Sequence, residues 1–388
     1  MTPIARNMKR LALWTLGVAV LIGFGMARPG GQAAAADDPA VESLRNEVGK
    51  KGWIVVAAYA KEVDAGHRVT DDNLGQADLY LMRPDGSEMR NITNTPDRHE
   101  FFARFSADGK KIMYRRMRKG KDIEHDSVGT QGELVIANSD GSNPVAIGKP
   151  GEYPWATWSS DTKQIACLYQ GEHVIRIFDV ETKKQVKQMP SQGIFQQMSW
   201  SPDGKKLCGT ATVNGVQWVI IALDLETQKT TVLSKHMNCT PNWFKDGSGI
   251  VNSCRNTAWG KKGGNGDPYG NTVLVQATAD GKPPALLYAD IDVHVYNGFM
   301  SPDDKYVAFN TGMSEGGTAG DPKKERSFLI VRRADTPIIQ PGFEELLKLN
   351  SGAKTGPVLR PRFANGDPLV TVYLAGDWTY AEIGGSKP

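Results

Sequence analysis

A short phrase returns six times along this chain: an aromatic residue or Met, then Ser or a substitute, a small residue, and Asp-Gly or a variant, followed by a β-rich run. It stands as Phe105-Ser106-Ala107-Asp108-Gly109, Trp158-Ser159-Ser160-Asp161-Thr162, Trp200-Ser201-Pro202-Asp203-Gly204, Trp243-Phe244-Lys245-Asp246-Gly247, Met300-Ser301-Pro302-Asp303-Asp304 and, degenerately, Phe363-Ala364-Asn365-Gly366-Asp367. The second residues of these phrases are 53, 42, 43, 57 and 63 positions apart. A unit of roughly 40 to 50 residues, repeated with insertions in its loops, marks a propeller or an array of small sheets. Ser and Asp also serve as nucleophiles and acids, but a residue type needed in every unit is better explained as part of a turn. There Asp and Gly supply local hydrogen bonds and positive φ, and Pro presets the first angle.

Two β-rich runs follow each phrase. The first set is residues 111–114, 164–168, 206–210, 249–253, 306–309 and 369–373; the second is 134–137, 174–178, 218–222, 273–275, 328–331 and 379–383. All are too short for helices. Trp53 to Tyr59 and Asp78 to Met82 repeat the strand pair ahead of the first phrase, while the last copy stops soon after Ile383. The expectation is an all-β propeller over residues 53–388 with seven blades. The alternative is six, with N- and C-terminal strands sharing one closing blade. Closure leaves only short, protected strand edges.

The phrases Trp200-Ser201-Pro202-Asp203-Gly204-Lys205-Lys206-Leu207 and Leu79-Tyr80-Leu81-Met82-Arg83-Pro84-Asp85-Gly86 resemble the TolB-like β-propeller repeat, over roughly residues 53 to 383. The segment from Cys239 onward is similar to a group of exported bacterial proteins labelled biopolymer-transport components. The resemblance implies a fold more than an activity, since such propellers occur in transport complexes, as gating domains of peptidases and in polysaccharide-active proteins. Only residues 37–52, a linker or a short helix opened by Asp38-Pro39, stand where TolB itself carries an α/β domain. No G-x-S-x-G elbow follows the repeats, which argues against a peptidase of the prolyl-oligopeptidase type.

Arg6, Lys9 and Arg10 precede an apolar stretch from Leu11 to Met26 and then Ala33 to Ala36, so residues 1–36 read as a secretory signal. An uncleaved anchor is the other reading. Cleavage would leave no stable membrane span, and a periplasmic or secreted protein. The chain has 46 basic and 43 acidic residues; without the leader these become 42 and 43, and the general electrostatic case for nucleic-acid binding disappears. In an oxidising compartment Cys239 and Cys254, placed symmetrically about Asp246-Gly247, are expected to face each other and form a disulfide.

Ligands of propellers gather where loops enter the innermost strands. His99 and His294 stand seven residues before Ser106 and Ser301, and His236 stands eight before Phe244. Three converging imidazoles would hold Zn or Mn, with Glu100, Asn238 or Asp292 as further candidate ligands. The arrangement is similar to that of metal-dependent oligogalacturonate lyases, though sparser in His; the competing reading is that these histidines cap loops. Trp155, Gln196, Gln197, Tyr296, Arg360 and Arg362, at or near the position four before each Ser, form a mixed aromatic and amide set suited to a sugar or a peptide segment. The first expectation is therefore a non-enzymatic exported propeller that binds a protein or polysaccharide of the cell envelope and needs no cofactor. Its binding surface would be the channel mouth and the insertions Ala258–Asn271, Met313–Arg326 and Pro337–Thr355. The second is a metal-dependent polysaccharide lyase or hydrolase. No Walker loop, H-E-x-x-H, C-x-x-C or calcium loop appears.

Overall fold

The computed structural model describes residues 38–59, 77–118, 132–169, 171–234, 238–255, 272–278, 285–288, 294–312, 328–332, 357–366, 369 and 376–384. Its strands form six four-stranded antiparallel sheets. β1 (Trp53–Tyr59), β2 (Ala77–Met82) and β3 (Arg90–Asn91) make most of the first; β4 (Arg98–Phe105), β5 (Lys111–Arg118), β6 (Glu133–Asn138) and β7 (Val145–Ile147) make the second. The third holds β8 (Trp155–Trp158), β9 (Gln164–Tyr169), β10 (Val174–Asp179) and β11 (Gln185–Pro190), and the fourth β12 (Ile194–Trp200), β13 (Lys206–Val213), β14 (Val216–Asp224) and β15 (Thr230–Ser234). β16 (Asn238–Trp243), β17 (Gly249–Arg255), β18 (Thr272–Thr278) and β19 (Ala285–Tyr288) form the fifth, and β20 (His294–Met300), β21 (Tyr306–Gly312), β22 (Phe328–Arg332) and β23 (Val358–Leu359) the sixth. The last strand, β24 (Asp377–Thr379), returns to the first sheet and pairs with β1, Ile54 opposite Trp378.

The innermost strands β4, β8, β12, β16, β20 and β24 contact one another in that order, and β24 contacts β4, so the ring is closed. Among the described residues there are thus six blades rather than seven. The strand pair at the N-terminus and the strand at the C-terminus are two parts of one blade. Of the 379–383 run only Thr379 is strand, because the pairing with β1 ends there; most of 369–373 lies outside the described residues.

The repeated phrase is a hairpin clasp. Ser106 Oγ donates to Asp108 Oδ1 at 2.7 Å and accepts from Lys111 N–H at 3.0 Å, and the same pair of bonds recurs at Ser159, Ser201 and Ser301. A second device joins neighbouring blades. Trp200 N–H donates to Thr157 Oγ1 and Trp243 N–H to Ser199 Oγ, both at 3.2 Å, while Phe105 N–H donates to Asp377 Oδ2 at 2.9 Å. The closing blade therefore uses the same staple as the others, with a carboxylate in place of a hydroxyl. Gly52, at φ 73°, lets β1 meet β24: a Cβ there would collide with the carbonyl oxygen of Thr379.

The expected short helix is α1 (Pro39–Val48), capped by Asp38 Oδ1, which accepts from Ala40 N–H at 2.8 Å. It is packed onto the ring rather than serving as a linker. Leu44 and Val48 are buried against Ile54, Val56, Tyr306 and Trp378. Tyr306 donates to Glu47, and Trp378 Nε1 donates to Lys51 O at 2.7 Å. Residues 1–36 lie outside the described residues; among those described, no helix is long and apolar enough to cross a membrane.

Candidate functional site

Four of the innermost strands share one irregularity. The register of β4 slips between Phe101 and Arg104, that of β12 around Gln196, that of β16 between Cys239 and Asn242, and that of β20 between Tyr296 and Phe299. In each slip a non-glycine residue has positive φ: Phe102 (60°), Gln197 (21°), Thr240 (55°) and Asn297 (52°). All stand four residues before the Ser of the hairpin or its substitute. β-Bulges re-aim side chains next to functional sites, and such backbone persists only where its surroundings hold it. β8 begins at the equivalent residue, Trp155, without a slip.

The side chains at this height are buried and polar. Gln197 Oε1 accepts from Thr210 Oγ1 at 3.2 Å, Thr240 and Ser253 share a hydroxyl bond of 2.9 Å, and Asn252 Nδ2 donates to Asn238 Oδ1. Other polar atoms there have no partner: Trp155 Nε1, Gln196 Oε1, Asn252 Oδ1, and both amide atoms of Asn297. Asn297 is 2% exposed. Leaving such atoms unpaired costs about 1–3 kcal/mol each. Trp155 also meets Phe102 edge to face, ring centroids 5.2 Å apart. Tyr296 lies in the same stretch, buried, opposite Asn310.

Arg360 and Arg362 are not part of this set. Both are exposed and follow β23, the outermost strand of the sixth blade, and Arg362 Nη1 donates to Gly366 O at 3.2 Å. The Phe363 to Gly366 turn imitates the repeated hairpin but follows an outer strand, so the alignment that carried these arginines inward fails.

The histidines fare differently. His99 is fully buried and its Nδ1 accepts from Ala77 N–H at 3.2 Å, so this nitrogen is used in holding β2 against β4. His236 and Asp292 lie outside the described residues. His294 opens β20 opposite Gly312. Among the described residues no three His, Cys, Asp or Glu side chains are gathered to hold a metal ion.

Cys239 and Cys254 are free thiols, not a disulfide. The bulge around Thr240 inserts one extra residue into β16, which moves Cys239 opposite Ser253 and Cys254 opposite Asn238. Burial pushes the Cys239 thiol up to about 11, with Arg255 opposing.

Two charged groups beside this region stand out. Glu100, fully buried in β4, accepts from Thr95 Oγ1, and its Oε2 has no partner. Burial pushes its carboxyl up to about 7; the Asp78 carboxylate adds to this, while the Thr95 hydrogen bond and Arg116 oppose it. Arg115, cross-strand partner of Phe101, is 2% exposed, and burial holds its guanidinium down to about 10. Sequence reasoning reached Glu100 only as a further metal-ligand candidate and gave Arg115 no role of its own, because a single acid or base inside a strand gives no periodic signal.

No protein-family model and no curated protein matches the chain. Solved structures similar to it include TolB from Acinetobacter baumannii, 16% identical, covering 80% of this chain and 74% of that one with a TM-score of 0.44. A putative TolB from Agrobacterium tumefaciens is 16% identical, covering 73% and 92% with a TM-score of 0.48. Oligogalacturonate lyase from Vibrio parahaemolyticus is 15% identical, covering 74% and 71% with a TM-score of 0.39. The propeller is read from the six sheets of this chain.

Proposed function

We propose that this protein is an exported, non-catalytic propeller that binds a protein or an envelope polymer at the mouth of its channel, with the inserted loops adding contacts. The leader-like sequence of residues 1–36 supports export, and those residues and the three insertions lie outside the described residues. One observation carries the binding reading: on the third, fourth and sixth blades, at one height of the repeat, Trp155, Gln196 and Asn297 hold buried polar atoms with no partner. Three of these blades' four atoms come from amides, which both donate and accept, so a ligand segment that does the same would satisfy them. The residues four and five positions before each hairpin in these innermost strands carry no charge, which suits recognition over acid–base chemistry.

The test is calorimetric titration of the purified protein with soluble peptidoglycan fragments and with a panel of polar peptides. The same titrations are run on a Gln196→Leu/Asn297→Gly double variant; glycine tolerates the positive φ at 297. One probe class is expected to bind the wild type and to lose about tenfold or more in the variant. Equal binding by both proteins would refute the site. Cleavage of a polymer probe dependent on added Zn or Mn would refute the non-catalytic reading.

A further inference from the structure

The β13–β14 hairpin reaches past the innermost strand of its own blade. β12 pairs with β13 only as far as Ile194 opposite Ala211, whereas β13 and β14 stay paired on to Val213 opposite Val216. Asn214 (φ 49°) and Gly215 (φ 78°) make the two-residue turn at the tip, both in the left-handed region that such a turn requires. The tip therefore stands at the end of the blade where the chain enters β12, the strand that carries Gln196. There it holds Val216, which at 55% exposure is the most exposed large apolar side chain among the described residues.

Behind the tip the hairpin has a bulge. Gln217 and Trp218 together stand opposite Thr212, and Trp218 takes φ 62°. Glycine adopts this conformation freely, whereas a bulky side chain keeps it only where its surroundings hold it. The bulge sets the aim of the indole, which is half-buried and meets the Phe195 ring edge to face, centroids 5.4 Å apart at 82°. Phe195, also half-buried, directly precedes Gln196, whose Oε1 is buried without a partner. An indole with part of its surface open is thus braced one residue away from the amide position of the same blade.

The chemistry at this end of the blade is polar and uncharged. Residues 188–202 and 207–223, which include all of β12 and nearly all of β13 and β14, contain no Asp, Glu, Lys, Arg or His. Gln192, Asn214 and Gln217 are exposed there. The second blade differs, since β4 and β5 bring Arg98, Glu100, Arg116 and Arg118 to the corresponding end. A charged peptide or an acidic polymer finds no counter-charge on these strands of the fourth blade. An uncharged pyranose does fit them: its polarised C–H groups meet the negative face of an indole, and its hydroxyls both donate to and accept from amides.

Resting on the reading of the channel mouth as a binding site, we propose that its ligand is a neutral polysaccharide. Trp218, braced by Phe195, is the platform on which one sugar ring stacks, and the amides of Gln196, Gln192, Asn214 and Gln217 address the hydroxyls.

The experiment titrates the full protein with cellohexaose, chitohexaose, hexagalacturonate and an uncharged polar peptide, read by calorimetry and by Trp emission. Wild type, Trp218→Gly and Phe195→Leu are compared, with thermal unfolding of each. At least one neutral hexasaccharide is expected to bind the wild type and to shift its emission. Trp218→Gly, in which glycine suits the positive φ, should lose about tenfold or more in affinity together with the emission shift. Phe195→Leu, which keeps the indole but not its brace, should lose several-fold. Neutral sugars that bind all three proteins alike would overturn the proposal, as would hexagalacturonate or the peptide binding in their place. If that other ligand still depends on Gln196 and Asn297, the channel-mouth reading stands without the sugar platform. A concentration-dependent dimer that Trp218→Gly abolishes, with no sugar bound, would assign the patch to a second copy of the chain and also overturn it. Absence of binding by every probe would overturn both readings.

Discussion

Glu100 offers the sharpest test of how the ring is held together, because its carboxyl is buried where β4 meets β2 and one of its oxygens is unpaired. The groups that act on it are Asp78 on β2, Thr93 and Thr95 before β4, and Arg116 on β5, itself bridged to Glu133 at 3.0 Å. Its folded pKa of about 7 stands above the ordinary 4.5, so the folded state holds this proton more tightly than the unfolded chain does. Stability therefore falls as pH rises from about 4.5 to about 7, and the full penalty remains above that. At ~1.4 kcal/mol per pH unit the penalty approaches about 3 kcal/mol at pH 8 and is about 1 kcal/mol at pH 5. Glu100→Gln keeps an acceptor for the Thr95 hydroxyl and removes the charge. Urea unfolding of both proteins, followed by Trp fluorescence, should show the variant more stable at both pH values. The gain should be larger by about 2 kcal/mol at pH 8. An equal gain at the two pH values, or a loss at pH 8, would show that Glu100 is charged and satisfied in the folded protein.

Three other outcomes follow from the packing. Asp377→Ala removes the acceptor of both Phe105 N–H and Trp378 N–H, each bond 2.9 Å long, and should cost about 3 kcal/mol in urea unfolding, against about 1 kcal/mol for Ser199→Ala, which removes one staple. Thr162 sits at φ 65° in the hairpin position that Gly109, Gly204 and Gly247 fill elsewhere, so Thr162→Gly should stabilise by about 1 kcal/mol, read as a higher urea midpoint with unchanged slope. All four cysteines should react with a thiol reagent in denaturant without prior reduction, and the native protein should stay unreactive at pH 8, since Cys239 ionises only near pH 11 and the other three are buried.

The strands that follow each hairpin were readable because the clasp is local: Ser, Asp and the next strand's first N–H lie within a few residues, and the apolar runs beyond them are buried. The innermost strands were far less so. Arg98–Phe105 and Asn238–Trp243 mix charged or amide residues with aromatic ones and are bulged, with neither clean alternation nor β-branched enrichment. Nothing in Thr240 announces a positive φ, yet that residue undoes the symmetry that had placed Cys239 opposite Cys254. The blade count erred for a related reason. A blade assembled from both ends looks in the sequence like two incomplete ones, and only the pairing of Val55 with Asp377 distinguishes the cases. Of the site, the polar residues four and five before each hairpin were legible from repeat alignment. Arg115 was not, and Glu100 was reached only as a further metal-ligand candidate, since what sets both apart is what fails to surround them.

The shared blade also governs the order of events during synthesis. Five blades are made of continuous chain and can form as they emerge, but β1 and β2 must wait beside an unfilled innermost position until Asp377 to Thr379 arrives. Loop closure over so long a separation is slow. Until that moment α1 lacks the Trp378 surface it rests on, and the Phe105 amide lacks its acceptor. The final strand thus acts as a latch, and a ribosome stalled before it would release an open arc with an unpaired inner edge.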